Sequence, residues 1–418
     1  VVDALGSRRA DLVLQDGVIA SVGTKVSAAP AGTMVLDASG CLVAPGLVDL
    51  HTHLRQPGGE DAETVQSASR AAALGGYTAV VAMPNTDPPA DCAAVVRFVR
   101  SLAAEALVEV QPAGTLTLGR QGQRLAPMAE LAEAGVRIFT DDGAGVQDPR
   151  LMRRAMQYAR ALGVVVAEHC EDAHLAAGGQ MHEGEWSSKL GLAGQPAEAE
   201  ELMVMRDLAL ARLTGARLHL LHLSTAGSLS MVRAAKASGL LVSAEVTPHH
   251  FTLTDAALVG YDPLFKVNPP LRTQADLEAV KVALADGTAD AIATDHAPHT
   301  AQSKQLPFDQ APPGMLGLET ALALALSETG LDPVQVIGLM SYKPAAIAGL
   351  EDTQGGPIQV GRPANICVVD PERTWVVEPG RLASLSKNTP YAGKKLKGKV
   401  RHTIFWGEPV VIDEEAQR

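Results

Sequence analysis

The chain has 418 residues, 46% of them hydrophobic, and a net charge of −12, so it can bury a large core, and its charge argues against nucleic acid as a partner. No apolar run approaches the roughly 20 residues of a membrane span. The four cysteines, Cys41, Cys92, Cys170 and Cys367, are scattered without paired spacing, and no signal-peptide pattern precedes the first strand; both fit a reduced, cytosolic protein.

Residues 10–44 hold short β-like runs at Asp11–Leu14, Val18–Val22 and Met34–Leu36, punctuated by Gly and Pro. From Leu47 to about Leu350, strand-like and helix-like runs alternate. Eight strands are expected at 47–54, Thr78–Met83, Val108–Ala113, Val136–Thr140, Val164–His169, Leu218–Leu223, Leu241–Val246 and Ala289–Thr294. Helical composition fills 62–74, 91–106, 149–162, 198–214, 226–238 and 274–285, with a capping Asp148-Pro149 before the third of these. Eight βα units over this length predict an α/β fold of the TIM-type (β/α)8 barrel kind. A doubly wound sheet is the runner-up, but no Gly-rich phosphate loop follows the first strand. Residues 357–412 return to β-like runs. The expectation is a barrel over 46–350 and one small β-rich domain built from both termini, 1–45 and 351–418. The basic run Lys394–Lys399 reads as a solvated turn between C-terminal strands.

The first barrel strand ends in Asp49-Leu50-His51-Thr52-His53-Leu54-Arg55. Side chains alternate along a strand, so His51, His53 and Arg55 share a face, and the two imidazoles can grip one metal ion. Catalytic residues of such barrels sit at the C-terminal strand ends. Read in order, those ends offer Asn85, Asp141-Asp142, Glu168-His169, His222, His249-His250 and Asp295-His296-Ala297-Pro298-His299. Imidazoles and carboxylates suit zinc, and an aspartate can bridge two ions. Two such ions activate water for attack on a carbonyl, with a nearby carboxylate moving the proton. Asp295 is the candidate for that shuttle.

These motifs resemble the amidohydrolase superfamily and, within it, the dihydroorotase family. The resemblance rests on Asp49–Pro57, Met83-Pro84-Asn85-Thr86, Glu168–Asp172, His222–Thr225, Glu245–His250 and Ala293–His299, in the family's order and with Lys304 five residues beyond the last. It implies reversible hydrolytic ring opening of L-dihydroorotate to N-carbamoyl-L-aspartate, a pyrimidine-synthesis step. It also implies two zinc ions per chain. His51 and His53 hold the first, with Asp295 as a further ligand and catalytic proton shuttle, and His169 and His222 hold the second. Many relatives bridge their ions with a carboxylated lysine. Here the position reads Phe139-Thr140-Asp141-Asp142-Gly143, and the alignment puts Asp142 at the bridge. Arg55, Asn85 and His299 are implied to bind the substrate carboxylate, with further contacts from Asn268 and the backbone at Pro313-Gly314.

The polar, Pro-rich segment Thr300–Gly314 is long enough to act as a lid. His249, His250, Glu168 and Asp141 read as supporting or packing groups, His296 and Cys170 as turned away, and Trp186 as lining the site or packing. His174, His182, His219 and His402 read as ordinary. Rival readings are a hydantoinase, dihydropyrimidinase or allantoinase, or an inactive homologue that scaffolds aspartate transcarbamoylase. Since all six metal-ligand positions are present, the active reading is preferred. A homodimer is expected.

Overall fold

In the computed structural model, residues 1–24 and 32–418 are described; the 25–31 stretch of the expected terminal domain lies outside them. All eight expected parallel strands form: Leu47–Thr52, Tyr77–Ala82, Glu109–Pro112, Ile138–Phe139, Val165–Glu168, Arg217–Leu220, Val242–Val246 and Ala291–Ile292. The first three pair in one parallel sheet and the other five in a second, each in chain order. The two sheets meet at both edges. Gly114 bridges Phe139 on one side, with Gly114 N–H donating to Ile138 O at 3.0 Å. On the other, Thr52 bridges His296, and His53 N–H donates to His296 O at 2.9 Å. The eighth strand thus lies beside the first. The strands are almost entirely buried, which explains why they read as continuous apolar runs rather than alternating ones.

The expected helices form within a few residues of their predicted bounds. Pro149–Leu162 shows why: the Asp148 carboxylate caps Arg150 N–H, Pro149 opens the first turn, and Gly163 closes the helix in the left-handed region. Further helices, Met128–Glu133 and, after the eighth strand, Ala321–Glu328, Pro333–Met340 and Tyr342–Ala348, lie outside the helical stretches named above.

An antiparallel five-stranded sheet draws on both ends of the chain. Leu42–Pro45 pairs with Ile366–Val376, which continues to Lys395–Phe405, Glu408–Ile412 and Glu415–Ala416. The hairpin Asp11–Gln15/Val18–Gly23 turns at Asp16-Gly17, both with positive φ, as a two-residue hairpin turn requires. Ile19, Val43, Ile358, Ile366 and Ile404 pack into a shared small core.

Two expectations for these flanks fail. Met34–Leu36 forms no strand; Met34 and Val35 are exposed and pair with nothing among the described residues. The basic run is not a turn. Lys395, Lys397 and Lys399 lie within a strand and alternate with buried Leu396, Gly398 and Val400, so the charges occupy one face of a period-2 pattern.

Candidate active site

The C-terminal ends of the parallel strands bring His51, His53, Asp142, His169, His222 and Asp295 together, all buried. Asp142 lies at the centre. Its Oδ1 is 3.3 Å from His51 Nε2, 3.6 Å from His169 Nδ1 and 3.7 Å from His222 Nε2, while Oδ2 is 3.6 Å from His53 Nε2. Asp295 Oδ1 faces the first pair, 3.2 Å from His53 Nε2 and 3.6 Å from His51 Nε2. Two groups could therefore hold a metal ion, His51/His53/Asp142 and Asp142/His169/His222, with Asp142 common to both. His222 and Asp295 have left-handed φ, 32° and 45°, a conformation non-glycine residues adopt rarely and mostly where surroundings force it.

The donor set fits a divalent cation. His51 Nε2 is buried and makes no hydrogen bond, since Asp142 approaches it off the hydrogen-bonding direction. His169 Nδ1 and His222 Nε2 point at one another at 2.9 Å, which two acceptor lone pairs tolerate only around a shared cation or proton. Charge agrees with geometry. Burial pushes Asp142 and Asp295 up, but the surrounding imidazoles outweigh it and hold both carboxyls below their ordinary range. Burial opposes charge on His51 and His169 too, yet the carboxylates raise both, His169 to about 10. A centre that stabilises protons on buried imidazoles also stabilises the metal that competes for them.

Two groups that orient this centre escaped the sequence reading. Glu245 accepts from His51 Nδ1 at 2.9 Å through one oxygen and from His219 Nε2 at 2.9 Å through the other. Ser243 Oγ lies 2.8 Å from His219 Nδ1. His219, read as ordinary, thus belongs to the support of His51. The available signal was a carboxylate and a histidine on adjacent, mostly apolar strands. Asp49 does similar work across the first and eighth strands: it accepts from Thr294 N–H at 2.8 Å and Thr294 Oγ1 at 2.6 Å, fixing the residue before Asp295.

The expected substrate-binding residues gather on the other side. Arg55, also with positive φ, donates through Nε to Pro298 O at 3.1 Å, and its Nη2 lies 3.4 Å from His299 Nε2. Its Nη1 bonds nothing among the described residues. Asn85 reaches into the His/Asp centre: Oδ1 is 3.0 Å from His53 Nδ1, and Nδ2 donates to Asp142 Oδ2 at 3.3 Å. Asn268 donates to Glu171 Oε2 at 2.8 Å. His299 Nε2 lies 2.8 Å from Pro313 O; burial, then Arg55, lower its pKa to about 3, so the ring is neutral and donates there. Gly314 gives its N–H to Lys266 O and its carbonyl to Asn388 Nδ2, so its backbone is already engaged. A Cβ at Gly314 would stand 2.8 Å from His299 Nε2, and its φ of 138° also demands glycine.

The remaining candidates lie at the periphery. His296 Nδ1 accepts from Gly317 N–H and its Nε2 meets Glu63, turned from the centre as strand alternation predicts. Asp141 caps the amides of Leu116 and Thr117. Glu168 accepts from Val146 N–H, and His250 sits between Thr247 Oγ1 and Pro269 O. Trp186 packs beside Met181 and Leu258, with the Lys189 ammonium over its ring.

Parallel strands whose ends deliver His/Asp groups of this kind define an enzyme of the amidohydrolase class. A family model described as dihydro-orotase-like matches residues 40–228. The dihydroorotase of Pelotomaculum thermopropionicum is 50% identical over 407 residues, covering 96% of this chain and 94% of that protein. The dihydroorotase of Streptomyces coelicolor is 48% identical, covering 98% and 96%. Among solved structures, an L-hydantoinase (dihydropyrimidinase) from Arthrobacter aurescens superposes with a TM-score of 0.90 at 26% identity, covering 100% of this chain and 95% of that one. The chain belongs to the dihydroorotase family.

Proposed function

We propose that the chain catalyses the reversible hydrolytic ring opening of L-dihydroorotate to N-carbamoyl-L-aspartate, a step of de novo pyrimidine synthesis, with two zinc ions as cofactors. The observation that carries this reading is the 50% identity to a dihydroorotase over 96% of the chain. On this reading 46–350 form a (β/α)8 barrel and the two terminal segments a composite β-rich domain. His51, His53 and Asp295 would hold one ion, His169 and His222 the other, with Asp142 between them. When bound, the ions polarise the ring amide and lower the pKa of water toward about 7.

The chain's own groups do the rest. Asp295 is ionised, so it accepts the proton of the attacking water and returns it to the ring nitrogen as the carbon–nitrogen bond breaks. Arg55 offers its unpaired Nη1 to the ring carboxylate, a charge-assisted bond that fixes which amide meets Asp295. Asn85, already bonded to His53 and Asp142, couples carboxylate recognition to the centre, and Asn268 and His299 bound the opposite edge. Reverse reaction closes the ring with loss of water. The expected setting is the cytoplasm and the expected assembly a homodimer; docking to aspartate transcarbamoylase is compatible with this activity.

Purified protein supplied with zinc should consume dihydroorotate, followed as loss of ring absorbance, and should outrun hydantoin and allantoin turnover. Preference for a hydantoin would move the assignment to the hydantoinases, whose fold is shared. Absence of turnover from mildly acidic to alkaline pH, with under one zinc per chain, would favour a non-catalytic scaffold.

A further inference from the structure

Two buried lysines lie outside the chemistry described above, and neither forms an ion pair with a carboxylate among the described residues. Lys304 Nζ donates to the carbonyls of Pro263 and Pro312 at 2.9 and 2.8 Å, with Lys266 O at 3.4 Å. Lys266 Nζ donates to Phe308 O at 2.7 Å and Gln180 Oε1 at 2.6 Å. The Gly314 amide closes the same gap onto Lys266 O at 2.8 Å. The bonds from Lys304 to Pro263 and Lys266, from Lys266 to Phe308 and from Gly314 to Lys266 cross between two chain segments, 263–268 and 304–314. The first ends at Asn268 and the second at Pro313-Gly314, next to His299. An ammonium in a cage of carbonyls gains strong charge-assisted bonds, but burial still opposes its charge, and Lys304 is lowered to about 7 by desolvation and then by Lys266. What the bonds to the carbonyls secure is the alignment of those two segments.

We propose that Lys304, backed by Lys266, staples 304–314 to 263–268 as a preformed wall of the substrate pocket, and that Lys304 is a positioning residue for substrate rather than part of a mobile lid. This rests on the activity proposed above. A wall ordered in advance spares the substrate the cost of ordering it, so its loss appears in binding rather than in chemistry. Lys304→Met should therefore raise KM for dihydroorotate about tenfold or more, with kcat and zinc content near those of the parent. Lys304→Gln, which keeps donors for the carbonyls, should fall between the two. An unchanged KM in either folded variant overturns the proposal, as does a fall in kcat with KM unmoved.

Hydrogen exchange on the unaltered protein tests the wall without relying on a variant. The amides of Gln310, Ala311 and Gly314 should be protected before ligand is added, and N-carbamoyl-L-aspartate should add little. Fast exchange that slows only with ligand means a lid, and the proposal fails. Should the unaltered protein not turn over dihydroorotate, the activity reading falls, while protection without ligand still decides the wall.

Discussion

The two halves of the site are built from different groups and held by different kinds of partner. Around Asp142, imidazoles and carboxylates converge, and the groups behind them are acids: Glu245 behind His51 and Asp49 beneath Thr294. Around Arg55 stand a guanidinium, a neutral imidazole and a lysine amine, and the groups behind them are backbone carbonyls: Pro298 for Arg55, Pro313 for His299, Pro263 and Pro312 for Lys304. Acids backing imidazoles raise the basicity of ligands and draw in cations. Carbonyls hold a guanidinium in place while leaving its charge to act on an anion. One half could hold a metal and, on the proposed function, the other receives a carboxylate, while Asn85 bonds His53 and Asp142 of the first half.

The contrast predicts different losses from each half. On the proposed mechanism Asp295→Ala removes the proton carrier and one oxygen facing His51 and His53, so kcat should fall by roughly 10³-fold or more while the circular dichroism spectrum is kept. A kcat within tenfold of the parent would remove Asp295 from the reaction. On the opposite half, Arg55→Met leaves the His/Asp centre intact and removes only the carboxylate's partner. There KM for dihydroorotate should rise by about 10- to 100-fold, with two zinc ions still bound by elemental analysis. Loss of zinc in that variant would show that the halves are one unit, and the contrast would collapse.

The two halves also differed in how far they could be read from the sequence. His51 and His53 together, and His169, His222 and Asp295 singly, fall at the ends of four apolar strands, where a polar side chain stands out and the strand order supplies its neighbours. Asp142 was separable from Asp141 only by resemblance; the fold supplies the physical reason, since Asp141 turns back onto the Leu116 and Thr117 amides. The carboxylate half was legible in its contact residues but not in what holds them. Asn388 bonds Ala297 O, Gly314 O and the His299 amide from the far end of the chain, and no local pattern ties it to them. Lys304 was quoted within a motif, yet its carbonyl cage depends on the course of two loops, which periodicity does not specify. Terminal strands were found where Gly and Pro bound them. Met34–Leu36 had the right composition but no partner strand, which is what makes a β-run a strand.

The smallest effect, and the finest test of the contrast, concerns the acid behind the metal half. Glu245 is buried. Burial raises its pKa, but bonds to His219 and His51 outweigh that and bring it to about 2, so it presents two acceptor oxygens to two ring N–H groups. A glutamine has one acceptor and one donor, and its NH2 would face an imidazole N–H. Glu245→Gln should therefore free His51 to rotate or change tautomer, weakening zinc binding by about 10- to 100-fold in competition with a chelator. With zinc in excess, kcat and KM for dihydroorotate should stay close to those of the parent, because neither the proton carrier nor the carboxylate's partners have moved. If instead zinc affinity is unchanged, the acid–imidazole pair supports only the fold. If KM rises at saturating zinc, the acidic half also shapes substrate binding, with Asn85, bonded to His53 and Asp142, as its proposed contact with the carboxylate.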